Sequence, residues 1–171
     1  MKKKIKTSKE KGLKTLIIGI GNPILSDDSI GLKIADNLKN YLSEIDIIKI
    51  NIMDMSILDL IDGYDRLIII DSIKTDSEKP GTLFNLKLDD LKETVHYLSP
   101  HTINISSIIK LGKELNLNIP KDICVYAVEV KDNVTFSENC TSEINDSIEN
   151  ICEDILKEQF YFNSKKAAHN A

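Results

Sequence analysis

Apolar positions fall along this chain in two patterns, short unbroken runs and longer stretches with a helical stripe. Residues 14–20 and 66–72 are apolar almost throughout, which predicts strands buried on both faces. Residues 46–52 and 123–130 read as further strands of the same kind. Residues 82–88 alternate instead, after the turn pair Pro80-Gly81, and predict a fourth strand, antiparallel and at an edge. Between the runs lie helical segments. Ser29 to Leu42 puts Ile30, Ile34, Ala35, Leu38 and Leu42 on one stripe, and Met55 to Ile61 is a short helix that Gly63 should stop. Asn104 to Leu115 is helical although Gly112 costs about 1 kcal/mol relative to Ala. Ser142 to Phe160 is a long amphipathic helix with Ile144, Ile148, Ile151, Ile155 and Leu156 facing inward.

Strands alternating with helices imply an α/β fold: a single-domain three-layer αβα sandwich over residues 14–160, with a mostly parallel sheet and one antiparallel strand. Residues 1–13 read as a flexible basic arm without the apolar region of a signal peptide, and 161–171 as a disordered tail. Ligands of such sheets bind beyond the carboxyl ends of the strands, near the switch in strand order. Residues at those ends are therefore the first candidates. Asp27 and Asp28 follow the first strand, Asp71 ends the third, and His101 lies in "SPHT" ahead of the next helix.

Composition narrows the partners. A net charge of -5 argues against nucleic acid, whose binding rests on neutralising phosphates. No apolar run is long enough to predict a membrane span. Three cysteines without CxxC spacing indicate neither a disulfide framework nor a zinc knuckle, and point to a reducing, cytoplasmic home.

The stretch "GIGNPILSDDSIG", Gly19 to Gly31, has the look of a phosphate loop and the wrong chemistry for one. Ile24 stands where the dinucleotide fingerprint needs its third glycine, Pro23 removes a backbone donor, and Asn51 replaces the ribose-binding acid. Two adjacent aspartates would repel an anion. Gly19 and Gly21 read better as a tight turn with room for close approach to the backbone. Ser26, Asp27 and Asp28 compete to cap the following helix, so at least one acid is spare. Singly, Asp71 reads as a solvated strand end and His101 as a loop histidine. Jointly, two carboxylates and an imidazole at one end of one sheet form a mixed N/O donor set suited to nickel, zinc or iron(II). Three protein ligands leave positions open, so the set reads either as a metal-dependent hydrolytic site or as one that recognises a metal held by something else. No GxSxG, HExxH or Walker lysine offers another chemistry.

With those residues in hand, "LIIGIGNPILSDDSIG", "DRLIIIDSIKTDSEKPGTLFNL" and "SPHTINISSII" resemble, in order and spacing, the hydrogenase maturation proteases. The likeness runs from about Leu16 to Leu156. It implies an endopeptidase that removes the C-terminal extension of a nickel–iron hydrogenase large-subunit precursor after nickel insertion. The family's metal positions fall on Asp28, Asp71 and His101, with Asp28 or Asp71 as general base. The resemblance places Gly19, Gly21 and Asn22 in a loop near the substrate and makes Asp27 the helix cap. The nickel is substrate-borne, with zinc or cadmium as surrogates. The partner is the precursor, and neither nucleic acid nor membrane is expected. A non-cleaving nickel-binding accessory protein would need the same ligands. After the second strand, "INIMDMSILDL" departs from the family's glycine-rich segment.

Overall fold

The computed structural model describes residues 13–87 and 105–161. The basic arm up to residue 12, the "SPHT" loop with His101, and the tail from residue 162 lie outside the described residues.

Strands β1 (Thr15–Ile20), β2 (Asp46–Ile50), β3 (Arg66–Ile73), β4 (Leu83–Lys87) and β5 (Asp122–Glu129) form one sheet in the order β2-β1-β3-β5-β4. β1, β2, β3 and β5 are parallel, and β4 runs antiparallel to β5 at the edge. The helices are α1 (Ile30–Leu38), α2 (Ile57–Ile61), α3 (Ile105–Glu114) and α4 (Ser142–Leu156). The expected architecture is present, mostly parallel with an antiparallel edge strand. Unbroken apolar runs mark β1 and β3 because both faces are covered. Ile17, Ile68, Ile70 and Tyr126 pack under α1 and α4, whereas Leu16, Ile18, Leu67, Ile69 and Val125 pack under α2 and α3. Edge strand β4 is partly exposed, which is why its sequence alternates.

Two helix ends differ from the sequence expectation. The segment expected as one helix from Ser29 to Leu42 opens with a 3-10 turn, Ser26–Ser29, and its regular part stops at Leu38. Past that point Asn40 N–H bonds to Asn37 O and Tyr41 N–H to Leu38 O, the tighter spacing of a closing turn. Leu42 still reaches the core at 3% exposure, so the apolar stripe outlasts the helix that it predicted. At the other end of the chain, α4 gives way to a π-helical turn, Lys157–Tyr161. There Gln159 turns inward, hydrogen-bonded to Tyr126 and Arg66, and a buried amide finds partners inside an otherwise apolar layer.

Among the described residues, no helix is long and apolar enough to cross a membrane. Cys124, Cys140 and Cys152 are free and buried.

Candidate functional site

Strand order reverses between β1 and β3, because the chain leaves β1 for β2 on one side and returns as β3 on the other. The carboxyl ends of β1 and β3 therefore border the crevice where such folds bind ligands. Three glycines close that region tightly. A Cβ on Gly31 would lie 2.2 Å from Ile20 O and 2.4 Å from Ile70 O, so α1 starts directly on the ends of both strands. A Cβ on Gly19 would meet Gly31 O at 2.4 Å, and one on Gly21, where φ is +154°, would meet Asp28 O at 2.0 Å. The room expected beside Gly19 and Gly21 is filled by the chain's own helix start.

That close seating brings in the acids. Asp28 is 2% exposed; its Oδ2 accepts from Asn22 N–H at 2.9 Å and its Oδ1 from the Ser72 hydroxyl at 2.8 Å. Asp71 is fully buried, and its Oδ1 accepts from Ser72 N–H at 2.8 Å. The solvated strand end anticipated for Asp71 taken alone is thus an enclosed carboxylate. β3 alternates as any strand does, which turns Asp71 to the face of Leu67 and Ile69 and Ser72 to the face of Ile68 and Ile70, where α1 lies. The two candidate acids reach one strand end from opposite faces and meet at Ser72.

Asp27 behaves differently from its neighbour. Neither the 3-10 turn nor α1 has a side-chain cap, so the cap expected of Asp27 is not there. Its carboxylate instead accepts from the N–H groups of Lys131, Asp132 and Thr141 and from the Thr141 hydroxyl. Asp27 ties the 131–141 loop to the helix start. Beside it Ser26 takes φ +29°, a left-handed conformation that costs a non-glycine residue roughly 1–3 kcal/mol. The surrounding loop holds it: Ser26 N–H donates to Ser137 O at 2.8 Å, and Leu25 bridges to Phe136 and Ser137. Cys140 also packs here, its Sγ 3.4 Å from Ser29 Oγ. Burial pushes its thiol above the usual range, against smaller lowering by the Ser29 hydrogen bond and the Lys33 charge, so it stays protonated and a poor nucleophile.

Two residues escaped the sequence reading. Ser72 is one; Glu129 is the other. Glu129, 1% exposed at the end of β5, accepts from Thr75 N–H at 2.8 Å, Asp76 N–H at 3.0 Å and the Thr75 hydroxyl at 2.6 Å. It fixes the turn by which the chain leaves β3, just beyond Asp71. The signal was present in "YAVEV", an acid closing an apolar strand as Asp71 closes "LIIID". His101 lies outside the described residues, and among those residues no group of three His, Cys, Asp or Glu could hold a metal ion. The helix that follows His101 in sequence, α3, packs its first residue, Ile105, on the face toward which Asp71 turns.

The hydrogenase maturation protease family model (HycI) matches residues 32–158, well over half of the chain. That range includes Asp71 and His101 and begins after Asp28. The hydrogenase 2 maturation protease of Escherichia coli K12 is 27% identical over 101 residues, covering 57% of this chain and 62% of that protein. Among solved structures, the hydrogenase maturating endopeptidase HybD of E. coli superposes with a TM-score of 0.73 at 23% identity, over 85% of this chain and 91% of that one. The [NiFe] hydrogenase maturation protease HybD of Thermococcus kodakarensis gives 0.70 at 20% identity, over 85% and 98%. At these identities the superpositions establish a shared fold.

Proposed function

The chain belongs to the hydrogenase maturation protease family, and from that premise we propose that it is an endopeptidase for a nickel–iron hydrogenase large-subunit precursor. It removes the C-terminal extension once nickel is in place, and it reads the nickel through Asp28, Asp71 and His101. The observation that carries this reading is the pair of buried carboxylates at the β1/β3 switch point, held by backbone N–H and hydroxyl donors. Two carboxylates fixed at one strand end offer oxygen donors to a cation.

In this reading nickel arrives with the substrate. Asp28 and Asp71 bring oxygen donors and His101 a nitrogen donor, the mixed set that favours a transition metal over magnesium or calcium. One carboxylate then accepts a proton from the attacking water, a contribution of roughly 10²–10⁴-fold to such reactions. Burial strengthens that step, because few competing water dipoles screen the acids.

The test is incubation of the protein with nickel-loaded and nickel-free precursor, with the product mass read by mass spectrometry. The loaded precursor should lose a C-terminal peptide and the nickel-free one should not. His101→Ala should abolish the cut while leaving the thermal transition in place. Nickel-dependent binding of a precursor that stays intact would replace this reading with the non-cleaving accessory protein.

A further inference from the structure

Ser72 hydrogen-bonds to both candidate acids, through its main-chain N–H to Asp71 Oδ1 and through its hydroxyl to Asp28 Oδ1, each at 2.8 Å. From this we propose that Ser72 is a positioning residue that sets the Asp28 and Asp71 carboxylates in one fixed relation. The inference rests on the function proposed above and names the residue that organises its site.

The two acids reach the site on different pieces of chain. Asp71 belongs to the central strand β3, whereas Asp28 belongs to a 3-10 turn that follows the loop after β1. The Ser72 hydroxyl ties the turn that carries Asp28 to the strand that carries Asp71, and so serves as an anchor. The anchor is firm, because Ser72 sits opposite Val128 in the β3–β5 register. Its chemistry also needs explaining, since Ser72 is completely buried in a strand of isoleucine and leucine. A buried hydroxyl is unfavourable there unless it is hydrogen-bonded, and this one is bonded to a carboxylate. Alanine at this position would pack without that burden and would leave Asp28 Oδ1 without its hydroxyl donor.

The test separates positioning from packing by comparing Ser72→Ala, Ser72→Thr and Ser72→Val on nickel-loaded precursor. Thr and Val share a shape, and only Thr keeps the hydroxyl. Ser72→Ala should lower kcat about tenfold with KM nearly unchanged, the scale of one hydrogen bond to a charged group. Ser72→Thr should recover most of that loss and Ser72→Val none of it. Parental kcat in Ser72→Ala would overturn the proposal, and so would equal impairment of the Thr and Val variants with matching falls in Tm. Should Ser72→Ala not fold, the Thr/Val pair decides. If even the parent cleaves nothing, the protease reading fails separately, and isotope-edited infrared spectra test the contact itself. The Asp28 carboxylate stretch, identified by its loss in Asp28→Asn, should shift in Ser72→Val and hold in Ser72→Thr. An unshifted band in Ser72→Val would sink the contact.

Discussion

The two ends of the central sheet hold their acids in different surroundings. At the amino end Arg66 Nε lies 2.8 Å from Asp122 Oδ2, close enough for an ion pair though not aligned for a hydrogen bond. Lys14 Nζ sits 4.1 Å over the Tyr64 ring, and Asp122 is largely open to water. Charge there is met by countercharge, an aromatic face or solvent. At the carboxyl end Asp27, Asp28, Asp71 and Glu129 are 0%, 2%, 0% and 1% exposed, and the donors described for them are amide N–H and hydroxyl groups. An ion pair neutralises what it holds. Amides and hydroxyls hold an acid in position through directed hydrogen bonds. The carboxyl end encloses its acids among amide and hydroxyl donors, and the amino end leaves Asp122 open to water beside Arg66.

The sharpest way to break that contrast is to remove charge without changing shape at each end. Asp28→Asn and Asp71→Asn should each lower precursor cleavage by roughly 10²-fold or more, as expected for loss of a general base or metal-facing acid. Asp122→Asn should leave cleavage within about twofold. Comparable losses at both ends would mean that the asymmetry has no functional content. The same variants should differ in stability. An Asn at position 28 would turn its NH2 toward one of the two donors that the carboxylate accepts from, so Tm should fall in Asp28→Asn and hold in Asp122→Asn.

Next in size is the steric seat of the site. Gly31→Ala would drive a Cβ to 2.2 Å from Ile20 O and 2.4 Å from Ile70 O, both main-chain atoms of the sheet. Neither can yield as a side-chain tip would, so we expect a loss of about 3 kcal/mol or more, read by urea denaturation. Gly63→Ala is the counterpart at the other end. No atom lies within 4 Å of its added Cβ, and only the strain of φ +77° opposes it, so about 1 kcal/mol is expected. A Gly31→Ala protein as stable as the parent would mean that α1 does not rest on the strand ends.

Asp27 tests whether every acid at the carboxyl end serves the same purpose. Its partners belong to the 131–141 loop, so Asp27→Ala should cost about 1–2 kcal/mol of stability through the loss of hydrogen bonds to part-buried N–H groups. Nickel affinity should change far less than in Asp28→Asn. The reverse ranking would assign Asp27 to the metal-facing set.

These neighbours show where the sequence was legible. Strands β1 and β3 could be read because strands covered on both faces are apolar without interruption, and β4 because an edge alternates. Asp71 could be placed near the carboxyl end of its strand, though β3 runs on through Ser72 to Ile73, and the Gly19–Gly31 stretch could be read as something other than a phosphate loop. The division of labour between Asp27 and Asp28 could not. It depends on Thr141 and Asp132, more than a hundred positions along the chain, and no local pattern announces such a contact. Ser72 was hidden for a similar reason: a serine in an apolar strand is informative only once its hydroxyl is seen against Asp28. The end of α1 was misplaced because the apolar stripe continues to Leu42 while the backbone turns after Leu38.

The smallest expected effect lies toward the amino end, at Cys124, paired with Ile68 in the sheet. Burial, and then the nearby Glu158 charge, push its thiol from 9.0 up to about 11, against smaller lowering by a Tyr126 hydrogen bond. Between those two values the unfolded chain has released the proton and the folded chain still holds it. Unfolding therefore becomes easier as pH rises. The contribution is intact below about pH 9 and is lost as pH climbs through about 11. The urea midpoint of the parent should fall more steeply across that window than that of Cys124→Ala, which lacks the titrating group. Parallel curves would show that the thiol does not titrate differently in the two states. Cleavage by Cys124→Ala should match the parent at neutral pH, because this titration belongs to a thiol toward the amino end of the sheet and not to the candidate acids.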